Sequence, residues 1–299
     1  MVDTLVAKCR KVAARREGSS PGSRGLGHRR LNLTVPLKIH RWLASAVSVK
    51  GTSHFVTGEP CQDYCIARRF GEAQILALSD GAGSCGLSGI GAQAACIGFV
   101  RSVRGLLAPY LSDPAALDSF LEQSTKRDWS FAIEGARELV ERVAIKRGVD
   151  ANRSMACTFL GAVLGRSAGI VLQIGDGAWV AEVGPGRFGC VTWPENGEFG
   201  NETFFLTQGQ WREHLQFETI PKFHGLRSLM GFSDGVETLC LNRATLTPIS
   251  SFFRRLCDIR RSGSQLEFER ALGEFLQSSR VTEKSDDDCS IVGACREGF

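Results

Sequence analysis

Hydrophobic and polar positions along the chain change period several times, and each change predicts an element. LASAVSVKG (43–51) alternates with period two and reads as a strand. YCIARRF (64–70) and AQILALSD (73–80) read as two more, joined by a tight Gly71-Glu72 turn. Helical spacing then runs from Ser88 to Leu107, and Asp113-Pro114 starts a second helix reaching Ser124. A third, WSFAIEGARELVERVAIKRG (129–148), ends on a glycine. A strand-rich block follows: ACTFLGAVLGR (156–166), AGIVLQIGD (168–176), AWVAEVG (178–184), RFGCVTW (187–193), ETFFLT (202–207) and RSLMGFSD (227–234). Two helical patterns, 248–259 and 264–279, precede a last strand, CSIVGAC (289–295).

Strands linked by short turns, with helices in separate blocks, predict an α+β protein. Its expected form is a four-layer αββα sandwich, two antiparallel sheets flanked by helices. Residues 1–40 stand apart. SSPGSRGLGHRR (19–30) is rich in Ser, Gly and Arg and has little to bury, so a basic, disordered N-terminal tail is expected before a catalytic domain spanning 41–299. TLVAKCRKVAARR (4–16) has the pattern of a short basic amphipathic helix. Contact with an acidic partner and a transit-peptide role stay open for this segment.

Charge sharpens that division. The formal net charge is +4, but residues 1–42 hold ten Lys/Arg against two acids, leaving 26 basic and 30 acidic residues in the rest. A globally basic nucleic-acid-binding surface is therefore not expected. The eleven cysteines are odd in number and mostly lie in apolar runs, such as AACIGFV and ACTFLGAV, as buried thiols do in a reducing cytoplasm. Cys61 and Cys65 lack a second Cys/His pair at zinc spacing, so no zinc site is expected. No run of 18 uncharged apolar residues predicts a membrane span.

Candidate chemistry lies in the acidic turns. Asp80 (LALSDGAGS), Asp176 (LQIGDGAW) and Asp234 (LMGFSDGVE) each end an apolar strand and precede glycine. Asp287 opens the last strand in DDDCSIVGA, and Asp63 lies just before YCIARR in CQDY. One Asp-Gly pair is an ordinary turn dipeptide. The recurrence, with no His or Cys cluster nearby, suits a site for hard cations such as Mg²⁺ or Mn²⁺ that take oxygen ligands. Glycine beside a ligand lets backbone carbonyls come close.

The segments SVKGTSHFVTGEPCQDY, ALSDGAGS, IGDGAW, GFSDGVETL and DDCSIVGA occur in an order that resembles the metal-dependent type 2C serine/threonine protein phosphatases, bacterial branch. The resemblance covers about residues 43–296. It implies the same layered fold and hydrolysis of phosphoserine and phosphothreonine in proteins, opposing a serine/threonine kinase. It further implies two Mn²⁺ or Mg²⁺ ions, with a third, weaker site. By the same resemblance Asp80 would bridge two metals, Gly81 would offer its carbonyl, Asp234 and Asp287 would bind the first metal, and Asp176 the third. Two such ions, roughly 3.5–4 Å apart, make hydroxide available from a bridging water near neutral pH, so no phospho-enzyme nucleophile is needed.

Three positions depart from the family pattern. Gln62-Asp63 stands where Glu-Asp is common, which weakens the second metal site unless Asp63 or water compensates. His54 aligns near the family arginine that binds phosphate. With Asp63 it is taken as a catalytic residue, able to bind phosphate when protonated or to give a proton; a surface or capping histidine is the plain alternative. Ala82 replaces a histidine that some members use as proton donor. These departures keep open a second function, a weak pseudo-phosphatase serving as a regulatory or binding module. Among weaker candidates, Arg68 and Arg69 lie on a strand near the proposed site, Trp179 and Trp193 are expected in the core, and residues 194–226, with His214 and His224, form either a flap or a surface insertion.

Overall fold

The computed structural model describes residues 41–196, 203–221, 225–245 and 247–298. The expected tail lies outside them. Strands β3 (Ala73–Ser79), β4 (Phe159–Leu164), β5 (Gly169–Ile174) and β6 (Ala178–Glu182) are buried at every position, as is the later strand over Ser228–Phe232. Strands covered on both faces need no polar alternation, which explains their continuous apolar runs. With β1 (Trp42–Val49), β2 (Tyr64–Phe70), β7 (Phe188–Cys190), β8 (Gln216–Ile220), β9 (Ser228–Phe232) and β12 (Cys289–Arg296) they build two five-stranded sheets. One has the order β1-β12-β9-β6-β7 and the other β2-β3-β4-β5-β8, antiparallel throughout. A small ladder joins β10 (Leu241–Asn242) to β11 (Thr247–Pro248).

The helices are α1 (Thr52–Thr57), α2 (Ser88–Leu107), α3 (Pro114–Gln123), α4 (Lys126–Arg147), α5 (Ala151–Ser154), α6 (Trp211–His214), α7 (Glu237–Cys240), α8 (Ser250–Ser262), α9 (Gln265–Leu276) and α10 (Ser279–Thr282). Three apolar clusters separate four layers. Ile75, Phe99, Leu117, Trp129 and Phe159 pack α2, α3 and α4 on the second sheet. Met230, Phe253, Leu272 and Ile291 pack α8 and α9 on the first. Leu76, Leu160, Val171, Trp179 and Val292 fill the space between the sheets. Indole N–H groups cross that space, Trp179 Nε1 to Leu172 O at 3.2 Å and Trp42 Nε1 to Gly165 O at 2.7 Å. The αββα sandwich expected from the sequence is the fold observed.

The differences are local. ETFFLT is no strand in its described part; Thr203 makes one isolated bridge to Asn196, and Leu206 N bonds Cys157 O at 2.8 Å. Within 194–226, Gln216–Ile220 is instead the edge strand β8, paired with β5, so these five residues belong to the sheet; 197–202 and 222–224 lie outside the described residues. Its polar QFETI carries little alternation, which hid it. Helix α4 begins before Trp129 because Thr125 and Asp128 close a capping box. Among the described residues no helix is long and apolar enough to cross a membrane.

Candidate metal centre

The antiparallel pairings bring the acidic turns to one end of the sandwich. Asp80 follows β3 and Asp176 follows β5, two strands that run the same way in one sheet; Asp234 follows β9 in the other. One carboxylate oxygen from each lies within 4.8 Å of the other two. Asp63 precedes β2, and Asp287 precedes β12, whose start faces the end of β1 through Val49↔Cys289.

Each turn is held by its own local bonds. Asp80 N donates to Thr158 Oγ1 at 3.0 Å, and Thr158 N returns a bond to Asp80 O at 2.8 Å. Ser233 Oγ donates to Asp63 Oδ2 at 2.8 Å while accepting from Ser290 N at 3.0 Å, which ties Asp63 to the Asp234 turn. Gln173 Nε2 donates to Gly175 O at 3.1 Å and Gly177 O at 2.7 Å, shaping the turn around Asp176. Gly235 is required by close approach, since a Cβ there would sit 2.0 Å from Asp288 O.

The electrostatics are those of carboxylates forced together. Burial, then the charges of Asp63 and Asp234, push Asp80 well above the usual carboxylate range. Burial raises Asp63 to about 7 against bonds from Ser290 and Ser233 that lower it. Burial and Asp234 raise Asp176 to about 7. Asp287 is raised by partial burial of its carboxyl and by Asp234, although the residue as a whole is exposed. Among the described residues Asp63 Oδ1 and Asp234 Oδ1 are buried without a hydrogen-bond partner, an arrangement that costs free energy unless something supplies positive charge. An all-oxygen donor set with orphaned buried oxygens fits a hard divalent cation.

His54 is 8% exposed on α1, with Nδ1 3.0 Å from Asp288 Oδ1 and Nε2 3.6 Å from Glu59 Oε2. Gln62 is buried, and its Oε1 accepts from Ser88 Oγ at 3.0 Å at the start of α2. Gly81 is buried at the bridge to Cys157. Arg68 and Arg69 are both exposed and bond carbonyls of Ala67 and Gly71, so alternation does not turn one of them inward. Trp179 is fully buried and Trp193 partly so. His214 Nδ1 lies 3.0 Å from Glu195 Oε1; His224 is outside the described residues. Asp288, which stands where the family often has Asn, is the residue that sequence reasoning left without a role: it is 2% exposed, whereas Asp286 and Asp287 are exposed residues. Arg243, at the end of the Asp234 segment, was likewise unsignalled; its Nε and Nη2 grip the buried Glu237.

The family model of protein phosphatase 2C matches residues 50–277. The chain belongs to the protein phosphatase 2C family. Among curated relatives of this family, serine/threonine-protein phosphatase 3 of Escherichia coli (strain K12) is 32% identical over 263 residues, covering 84% of this chain and 97% of that protein. A bacterial serine phosphatase crystal structure superposes with a TM-score of 0.58 at 13% identity, covering 87% of this chain and 99% of that one. The phosphatase Stp1 of Staphylococcus aureus does so with a TM-score of 0.55 at 11% identity, covering 94% and 100%. At such identities these two structures speak to the fold, which they share with this protein phosphatase 2C chain.

Proposed function

We propose that this phosphatase hydrolyses phosphoserine and phosphothreonine monoesters in proteins with the help of two bound Mn²⁺ or Mg²⁺ ions and a third, weaker one, opposing a serine/threonine kinase. The observation that carries the reading is the convergence of Asp80, Asp176 and Asp234 within 4.8 Å, beside buried carboxylate oxygens that lack partners among the described residues. Divalent ions held there would supply a water that is nucleophilic near neutral pH and would offset the charge of the phosphoryl oxygens.

The chain's own residues do the rest. Asp80, Asp234, Asp63 and Asp287, with the Gly81 carbonyl, would hold the two main ions, and Asp176 the third. Asp63, anchored through Ser233, also stands as a base able to take a proton from the attacking water. His54, buried on α1, offers an imidazole suited to bind a phosphoryl oxygen or to give a proton to the departing serine or threonine oxygen.

In the presence of Mn²⁺ the full chain is expected to release phosphate from a phosphoserine peptide, and Asp80→Asn or Asp234→Asn to abolish release. Retained activity in both variants would exclude the mechanism.

Gln62 favours a second reading, a catalytically weak family member acting as a regulatory or binding module. Its amide is engaged by Ser88 where an additional carboxylate would strengthen the second metal site. A Gln62→Glu variant that gains about tenfold or more in kcat/KM, roughly 1.4 kcal/mol of transition-state stabilisation, would support it; an unchanged value would argue that the native site is already complete.

A further inference from the structure

The buried carboxylate of Asp288 stitches three segments together. Its Oδ1 accepts from Gly51 N at 2.7 Å and its Oδ2 from Gln62 N at 2.5 Å. Because β1 and β12 pair through Val49↔Cys289, Asp288 is held beside the chain that enters α1. Ser53 N and Oγ, at the start of that helix, bond Asp286 O at 2.9 and 2.7 Å. The orientation of Asp288 is thus set by backbone groups before the side chain of His54 is considered.

His54 Nδ1 then lies 3.0 Å from Asp288 Oδ1. A carboxylate can only accept, so this contact requires a proton on Nδ1. The second ring nitrogen is left on the opposite side. There Nε2 is 3.6 Å from Glu59 Oε2, on a side chain that is 48% exposed and so free to give way to another oxyanion. The arrangement is that of a fixed inner acceptor, an oriented and largely buried ring, and an outer nitrogen facing a displaceable carboxylate.

We propose that Asp288 is a positioning residue of the phosphatase reaction. It keeps the His54 ring turned with Nδ1–H inward, so that Nε2 is the atom offered to the phosphoryl or leaving-group oxygen, in the place that Glu59 fills in the free protein. This rests on the reading of His54 given above. Asp288 itself touches neither substrate nor water in the reaction; its effect passes through the ring.

The test uses the full chain with histidine labelled in ¹⁵N, and a double-mutant cycle. Long-range proton–nitrogen spectra of the wild type should show the His54 Nδ1 protonated, in both the charged and the neutral ring. Asp288→Leu should lose that pattern, and Asp288→Asn should recover it in part, since its amide oxygen can accept from Gly51 N and His54 Nδ1 while its NH2 forfeits the bond from Gln62 N. With Mn²⁺ and a phosphopeptide, Asp288→Leu should lower kcat by about 10²-fold with a smaller change in KM, and Asp288→Asn should restore a large part of the loss. On a His54→Ala background Asp288→Leu should cost little more, because both changes remove one device.

An unprotonated Nδ1 in the wild type overturns the proposal. So does a full additional loss on the His54→Ala background, which would mark Asp288 as merely structural. Should Asp288→Leu not fold, the wild-type spectrum and Asp288→Asn still decide it. His54→Ala with wild-type kcat/KM overturns the role of the ring while leaving the phosphatase reading standing; activity in Asp80→Asn and Asp234→Asn overturns the phosphatase reading and leaves the spectrum to judge the Asp288–His54 bond.

Discussion

Asp63 and Asp176 hold their protons up to about pH 7 in the folded, metal-free protein, because burial and neighbouring carboxylates disfavour the charged forms. An unfolded chain releases the same protons near pH 4. Between those values the folded state binds more protons, so their contribution to stability is fully present below about pH 4 and is lost as pH rises through about 7. Divalent ions replace those protons. Thermal melts with and without Mn²⁺ are therefore expected to show a Tm increase that grows from about pH 5 to about pH 8; an increase that stays flat or shrinks would contradict the shared-proton description. Each Asp-Gly turn was legible in the sequence as a candidate. The inward turn of Asp288 was not: three successive aspartates look alike until the β1–β12 register turns one inward and leaves the two before it exposed.

At the scale of elements, the strand-end turns work because their backbones lie in contact. A Cβ at Gly235 would meet Asp288 O at 2.0 Å, and one at Gly51 would meet Asp287 C at 2.3 Å. Gly235→Ala and Gly51→Ala are each expected to cost about 1–3 kcal/mol in urea unfolding and to weaken Mn²⁺ binding in calorimetry, since both displace a carboxylate-bearing turn. Wild-type values for both quantities would mean that the turns have slack which the observed contacts deny. Most long elements were readable from period alone: the helix over Ser88–Leu107 and the strand over Tyr64–Phe70 fall where the pattern puts them. The edge strand β8 and the short helix α1 escaped notice. QFETI makes no apolar stripe, and six residues are too few for helical spacing to register, so both form through tertiary contacts rather than local preference.

For the molecule as a whole, the apolar layer between the sheets sets the distance across which the carboxylates meet. Trp179 lies over Gly231, where a Cβ would be 2.8 Å from its ring, and its indole reaches Leu172 in the facing sheet. Trp179→Ala is expected to destabilise the fold by about 3–5 kcal/mol, read as a lowered urea midpoint, with Mn²⁺ affinity falling alongside as the sheets lose their spacing. Affinity unchanged in a folded, destabilised variant would show that the centre is set by the turns alone.

The order of the long strands and helices, the burial of most of the described cysteines and the candidacy of the acidic turns were determined by the sequence itself, because period, turn chemistry and apolar runs are local properties that survive without a partner. Which carboxylates share one centre was decided only by tertiary structure. Asp80, Asp176 and Asp234 are far apart along the chain and meet because antiparallel pairing returns the ends of β3 and β5 to one end of their sheet and packing of the two sheets sets the end of β9 against them. The fate of Gln62 and His54 depended on the same thing: their bonds go to Ser88 and Asp288, groups brought to them by packing and by strand register.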